Sequence, residues 1–305
     1  MLHDEKILIT GPAGQIAYPL AVALAQHNDV WGIARFGDAA SRARVERAGV
    51  TTRVVDLGVG DYGDVPDDFT YVLHLASYLG PGSDYDIALR TNAEGTGLLL
   101  QHCRRAKAAM VMTTGSVYRP HADPWHAYLE TDPLGDSRLP MVPTYSISKI
   151  SEEAVARTCA RLFDLPVVIA RMNAAYGHNG GMLVSYMDAV VERRPLTLRW
   201  DPNPYSPIHE TDVIAQTEAI LAAASVPATI VNWAGDEPVS VQDACRFMGE
   251  LAGHAPDLRV AEVPGTHRGV VVDATRRIAL AGHCSVSWRD GLRSVFEARY
   301  PPRST

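Results

Sequence analysis

Cysteine is scarce and scattered in this sequence. Its four residues, Cys103, Cys159, Cys245 and Cys284, stand far apart. There is neither a Cys-x-x-Cys pair nor a zinc-ligand spacing, so the expectation is reduced thiols and no metal. Any apolar run long enough to span a bilayer is missing as well. So is a basic excess: 28 Lys and Arg against 35 Asp and Glu leave a net charge of −7. A nucleic-acid surface would normally carry a basic stripe, and that class is set aside. The start, MLHDEKILITG, runs straight into an apolar segment without a leader pattern. These absences together predict a soluble, cytoplasmic protein with no nucleic-acid or membrane partner.

What is present is a globular composition. Of the 305 residues 47% are hydrophobic and 21% charged, enough for one large domain, or one with a smaller lobe. Short apolar runs recur at 6–10, 29–35, 52–56, 71–77, 109–115, 166–171 and 229–235. Helical patterns fall between them at 15–27, 92–107, 146–163 and 212–224. Strands apolar on both faces that alternate with helices predict an α/β fold, a doubly wound parallel sheet covered on both sides. After Arg171 the pattern loosens. Residues 178–207 are rich in Gly, Pro and Asn around one helix near 183–192, and a helix at 240–252 is followed by short pieces. The expected organisation is a dinucleotide-binding domain of 1–171 plus about 208–235. A smaller, discontinuous substrate-binding lobe takes about 172–207 plus 236–305.

Gly11-Pro12-Ala13-Gly14-Gln15-Ile16-Ala17 follows the first run and opens a helix. That context suits a phosphate cradle. Gly11 permits the tight turn, Gly14 lets a pyrophosphate approach the backbone, and a small residue at 17 lets helix and strand pack closely. The second run ends Ile33-Ala34-Arg35-Phe36, with no carboxylate at its tip. An acid there would hold the adenosine ribose, whereas an arginine accommodates a 2′-phosphate. Arg35 therefore points to NADP(H), with NAD(H) the alternative. The stretch TYSISK, 144–149, sets Tyr145 four residues ahead of Lys149. In a helix these two share a face.

Seven blocks in order carry a resemblance: TGPAGQIA at 10–17, VLHLAS at 72–77, NAEGTGLLL at 92–100, MTTGSVY at 112–118, YSISK at 145–149, RMNAAYG at 171–177 and PIHETDV at 207–213. On them the chain resembles the extended short-chain dehydrogenases/reductases, the NAD-dependent epimerase/dehydratase family. The resemblance implies a Rossmann-type fold and a catalytic set of Thr114, Tyr145 and Lys149. Thr114 would hydrogen-bond the substrate oxygen, Tyr145 exchange its proton, and Lys149 hold the nicotinamide ribose. An ammonium beside a phenol favours the phenolate. The implied cofactor contacts are Gly11, Ala13, Gly14, Gln15, Ile16, Arg35, Asp56, Leu57, Leu75, Ala76, Ser77 and Asn92, besides Tyr145 and Lys149. Asn92 would brace the active-site helix or a water, while Arg171, His209 and Asp212 read as structural. Substrate contacts are expected from Ser116, Asn173 and Arg199; His121, Trp125 and His126 are candidates that read first as exposed loop residues.

The same blocks narrow the reaction. The 4,6-dehydratases of the family carry Thr-Asp-Glu on the active-site strand, where this chain has Thr114-Gly115-Ser116. Sugar-nucleotide enzymes place an asparagine two residues before the Tyr-Gly pair. Here Ala174 holds that position and Asn173 stands one early. Their arginine ahead of the V-H block is absent from Asn203–Pro207, and a diphosphate needs charge-assisted donors. The expectation is an NADP(H)-dependent oxidoreductase acting on a carbonyl or alcohol of a small or medium molecule. A sugar-nucleotide 4-epimerase or 4-ketoreductase is the alternative, and a non-catalytic NADP-sensing module a third. A homodimer through the helices near 92–107 and 146–163 is expected, with Leu98, Leu99, Val155 and Leu162 on its surface.

Overall fold

The structure, a computed structural model, describes residues 2–80, 82–137 and 139–301. The last four residues of the expected C-terminal lobe, 302–305, and Arg138 lie outside the described residues.

Seven strands form one parallel sheet: β1 Lys6–Thr10, β2 Asp29–Ala34, β3 Thr51–Val54, β4 Tyr71–His74, β5 Ala108–Thr114, β6 Val167–Met172 and β7 Thr229–Trp233. Their order is β7-β6-β5-β4-β1-β2-β3. The chain starts in the middle and winds out first to one edge, then to the other. The crevice between β1 and β4 is thus the switch point, where the loops leaving adjacent strands diverge. Residues alternate between the two faces as a strand demands. Ile7 and Ile9 of β1 join one core with Leu20, Leu24, Met110, Val168 and Val213. Leu8 joins the other, with Val72, Leu99, Val111, Ala156 and Ile169.

Helices α1 (Ala17–Ala25) and α7 (Glu210–Ala222) cover the first face. On the second lie α4 (Gly95–His102) and α5 (Tyr145–Phe163), with α3 (Tyr85–Leu89) against α5. A third core packs α6 (Met182–Val191), α8 (Val241–Ala252) and α10 (Trp288–Arg299) around Leu183, Met187, Phe247, Trp288 and Leu292. No helix among the described residues is long and apolar enough to cross a membrane.

Several elements differ from expectation. The helix expected at 92–107 starts within a π-helical turn, Arg90–Glu94, that joins α3 to α4, and it ends early, at His102. The charged stretch AASRARVER forms α2 (Ala39–Arg47), which buries Val45 alone. With one apolar anchor it carries no amphipathic signal. The expected short pieces after 252 include α9 (Thr275–Ala281) and the three-turn α10. Of the four residues assigned to a dimer surface, Leu99 is fully buried in the second core and Val155 packs against it. Leu98 and Leu162 are exposed.

Candidate active site

The glycine turn is built by conformation and by close approach. Gly11 sits at φ +64°, and a Cβ there would lie 3.1 Å from the Ala76 backbone. Its N–H donates to Ile33 O, and Gly14 N–H returns to Gly11 O. The turn thus lies against the ends of both β2 and β4. A loop beyond β6 clasps it from the other side. Asn179 Nδ2 donates to Gln15 O at 2.8 Å, and Gln15 Nε2 to Gly180 O at 3.3 Å.

One cavity of about 730 Å³ runs along the carboxyl ends of the strands. That volume lies within the usual range for a ligand site. Gly11, Ala13, Gly14, Gln15 and Ile16 line one stretch, and Arg35 and Asp56 lie beyond β2 and β3. Leu57, Leu75, Ala76, Ser77 and Asn92 line its length, and Thr114, Tyr145, Lys149 and Asn173 stand at the β5–β6 end. Ser41, Tyr78, Leu79, Met112 and Met172 also line it and went unread in the sequence. Ser41 gave no signal, because the helix it opens, α2, has no amphipathic pattern to mark it.

Tyr145 is the first residue of α5, so the short stretch around it is both a helix start and a paired face. Lys149 sits one turn further in and is 1% exposed. Its Nζ donates to Met112 O at 3.1 Å and lies 2.7 Å from Glu152 Oε2. Asn92 fastens this helix: its Nδ2 donates to Ser148 Oγ at 2.9 Å, while its Oδ1 accepts Tyr78 N–H at 2.7 Å. Arg171 and Glu153 add a buried two-point ion pair, at 2.9 and 2.7 Å, that locks α5 to β6. Thr114 Oγ1 accepts Ser116 N–H at 3.2 Å and keeps its own hydrogen available to the cavity.

The residues expected to touch substrate divide between the cavity and its surroundings. Ser116 and Arg199 are not among the lining residues. Ser116 turns back beneath Thr114, and its carbonyl accepts Ser146 Oγ. Arg199 Nη2 donates to Tyr205 Oη at 3.3 Å in the neighbouring loop. Asn173 reaches the cavity with its amide already engaged. Oδ1 accepts Ala174 N–H and Ser206 N–H, and Nδ2 donates to Val270 O. It stitches three segments together. His121 and His126 stack on each other at 4.1 Å, away from the cavity, and His126 also meets Asp132. Trp125 is exposed and outside the lining.

A glycine turn at the switch point of a 3-2-1-4-5-6-7 sheet, feeding one long cleft, defines a nucleotide-binding α/β protein. Residues 7–232 match the NAD dependent epimerase/dehydratase family, and the chain belongs to it. It is an enzyme of the short-chain dehydrogenase/reductase type. The family is NAD-dependent, so the cofactor class is a nicotinamide dinucleotide and NAD(H) is supported.

Solved structures share the fold over nearly the whole chain. UDP-glucuronic acid 4-epimerase from Bacillus cereus, in complex with UDP-glucuronic acid and NAD, is 24% identical with a TM-score of 0.82, over 96% of this chain and 98% of that one. For UDP-glucose 4-epimerase from Thermus thermophilus, complexed with NAD, the values are 22% and 0.80, over 97% and 99%. For dTDP-glucose 4,6-dehydratase from Streptomyces venezuelae, with NAD bound, they are 20% and 0.81, over 96% and 97%. No curated protein matches the sequence significantly.

Proposed function

We propose that the protein is an NADP(H)-dependent oxidoreductase that reduces a carbonyl, or oxidises an alcohol, in a small or medium organic molecule. One observation carries this reading: a single cavity joins the glycine turn and Arg35 at one end to Thr114, Tyr145 and Lys149 at the other. The residues present fit a dinucleotide. Gly14, where a Cβ would crowd Gly11 O at 3.1 Å, leaves the backbone open to a pyrophosphate. Arg35 and Ser41 line the cavity beyond β2; Asp38, the next acid along the chain, caps α2 instead, and Asp56 lines the cavity from beyond β3. A guanidinium and a hydroxyl suit a 2′-phosphate. When bound, the nicotinamide supplies or accepts a hydride.

The chain's own residues do the rest in this reading. Thr114 Oγ1 holds the substrate oxygen. Tyr145 gives that oxygen a proton in reduction and takes it back in oxidation. Lys149 holds the nicotinamide ribose and sets its positive charge one helical turn from Tyr145. Among the described residues lining the cavity the cations are Arg35 and Lys149. A substrate diphosphate would find no guanidinium at the reaction end, which supports a smaller, less charged substrate. We further propose the division into a dinucleotide-binding domain and a C-terminal lobe built on the α6–α8–α10 core.

A second reading, a sugar-nucleotide 4-epimerase or 4-ketoreductase, draws on the full-length likeness to UDP-glucuronic acid 4-epimerase. The two differ in turnover, because an epimerase keeps its cofactor and a reductase releases it. Cofactor titration tests the leading reading. NADPH is expected to bind more tightly than NADH, and Arg35→Ala to narrow the gap. Tighter binding of NADH by the parent protein would overturn the NADP(H) preference.

A further inference from the structure

Helix α5 carries an acid that the proposed chemistry does not use. Glu152 stands one turn beyond Lys149 and is completely buried. Glu153, the next residue, is committed to Arg171 and to the Thr113 hydroxyl at 2.8 Å. Glu152 has no such set. Both its carboxylate oxygens lack an aligned hydrogen-bond donor, and its one close charge is the Lys149 ammonium at 2.7 Å.

The neighbour on β4 does not complete the pair. His74 Nε2 lies 3.5 Å from Glu152 Oε1, but its hydrogen is already placed. Thr10 Oγ1 accepts the N–H groups of Leu75 and Ala76, so its own hydrogen goes to His74 Nδ1 at 2.8 Å. Thr96 Oγ1 donates to Asn92 O at 2.6 Å, so it accepts from His74 Nε2 at 2.7 Å. The network therefore assigns His74 as the neutral Nε2–H tautomer, with nothing left for Glu152. The groups facing Glu152 are thus Lys149 and Glu153 on α5, neutral His74 on β4 and the Thr96 hydroxyl on α4. A buried carboxylate with one cation partner and no aligned donors is costly to keep ionised.

We propose that Glu152 is a positioning residue that sets the effective charge of Lys149. As an anion it compensates the ammonium beside Tyr145, and as a neutral acid it leaves that ammonium uncompensated. This rests on the reading of Tyr145 and Lys149 as the acid–base pair. Both are buried, but Lys149 borders the cavity and keeps the Met112 carbonyl, whereas Glu152 does not border it and has no aligned donor. Glu152 is therefore the member whose ionisation changes. Burial pushes its carboxyl up, and Lys149 opposes this only in part, leaving it at about 7. The site would switch between its two charge states near neutral pH.

The test needs neither substrate nor cofactor, so it fails separately from the functional reading. The ultraviolet tyrosinate band of Tyr145 is isolated as the parent spectrum minus that of Tyr145→Phe, and likewise in a Glu152→Gln background. Tyr145 and Glu152 are two helical turns apart, roughly 10 Å. Removing one charge at that distance, at an effective dielectric near 20, is expected to lower the pH at which the band appears by about one unit. An unchanged midpoint overturns the proposal. So does an upward shift, which would mean that Glu152 keeps the ammonium charged. Should Glu152→Gln not fold, infrared difference spectra of the parent between about pH 6 and pH 8 serve instead. An interior carboxylic acid converting to carboxylate is expected there, and its absence overturns the proposal.

Discussion

At the scale of single residues, burial disfavours the charged form of three histidines, His74, His209 and His267, and most strongly of the first and last. Burial, reinforced by the charge of Lys149, pulls His74 down to about 3. Burial pulls His267 to about 4, although its contact with the Tyr118 carbonyl works the other way. Both are ordinary in the unfolded chain, near 6.5. Each folded value is depressed below the unfolded one, so the stability they contribute is complete above pH 6.5. It is lost as pH falls towards 4 and then 3. Urea midpoints measured between about pH 7 and pH 4 should therefore decline, and His267→Gln should flatten part of that decline. A pH-independent midpoint would contradict it. The residues named from motifs were legible because their spacing is chemical: Tyr145 and Lys149 four apart, glycines on a turn. Glu152 was not. In sequence it is one of two adjacent acids on a helix, and only the packing of β4 and α4 reveals which environment each enters.

At the scale of elements, the strands were legible and the helix boundaries less so. The strands are apolar on both faces because helices cover both, and that pattern survives without knowledge of the neighbours. Helix α2 was illegible because one buried valine makes no stripe, and the π turn because nothing local announces it. Its place became clear from packing. Gly95, at the junction of that turn with α4, presses on β3's continuation, where a Cβ would meet Leu57 O at 2.8 Å. Helix propensity alone would make Gly95→Ala stabilising by up to about 1 kcal/mol. Contact with backbone, which cannot swing aside, should outweigh that, for a net loss of about 1–2 kcal/mol. Chemical denaturation of the variant measures it, and a gain in stability would show that α4 can shift freely.

At the scale of the whole molecule, the two long-helix positions still facing outward are Leu98 and Leu162, the latter 71% exposed. Single exposed leucines are common, but two on adjacent helices of one face suit a helix-to-helix contact. A homodimer through α4 and α5 is the proposed assembly. Light scattering at micromolar concentration should give twice the 33.1 kDa chain mass, and Leu162→Glu should return it to one. A monomeric parent would contradict this. The overall architecture was legible from the order of blocks, since a glycine turn, an active-site strand and a Tyr-Lys helix fall in sequence along one sheet. The elements after residue 252 were not, because the short segments there depend on contacts such as Asn173 with Val270, remote in the chain.

The central claim is that Tyr145 exchanges the proton while the neighbouring cofactor exchanges the hydride. Tyr145→Phe keeps the ring and removes only the hydroxyl, and the glycine turn that would hold the phosphates is untouched. The most direct measurement is single-turnover oxidation of NADPH against a panel of aldehydes and ketones, with parent and variant side by side at matched cofactor occupancy. The account predicts that Tyr145→Phe binds NADPH as the parent does and transfers hydride about 10² to 10⁴ times more slowly. Transfer at the parent rate would contradict it.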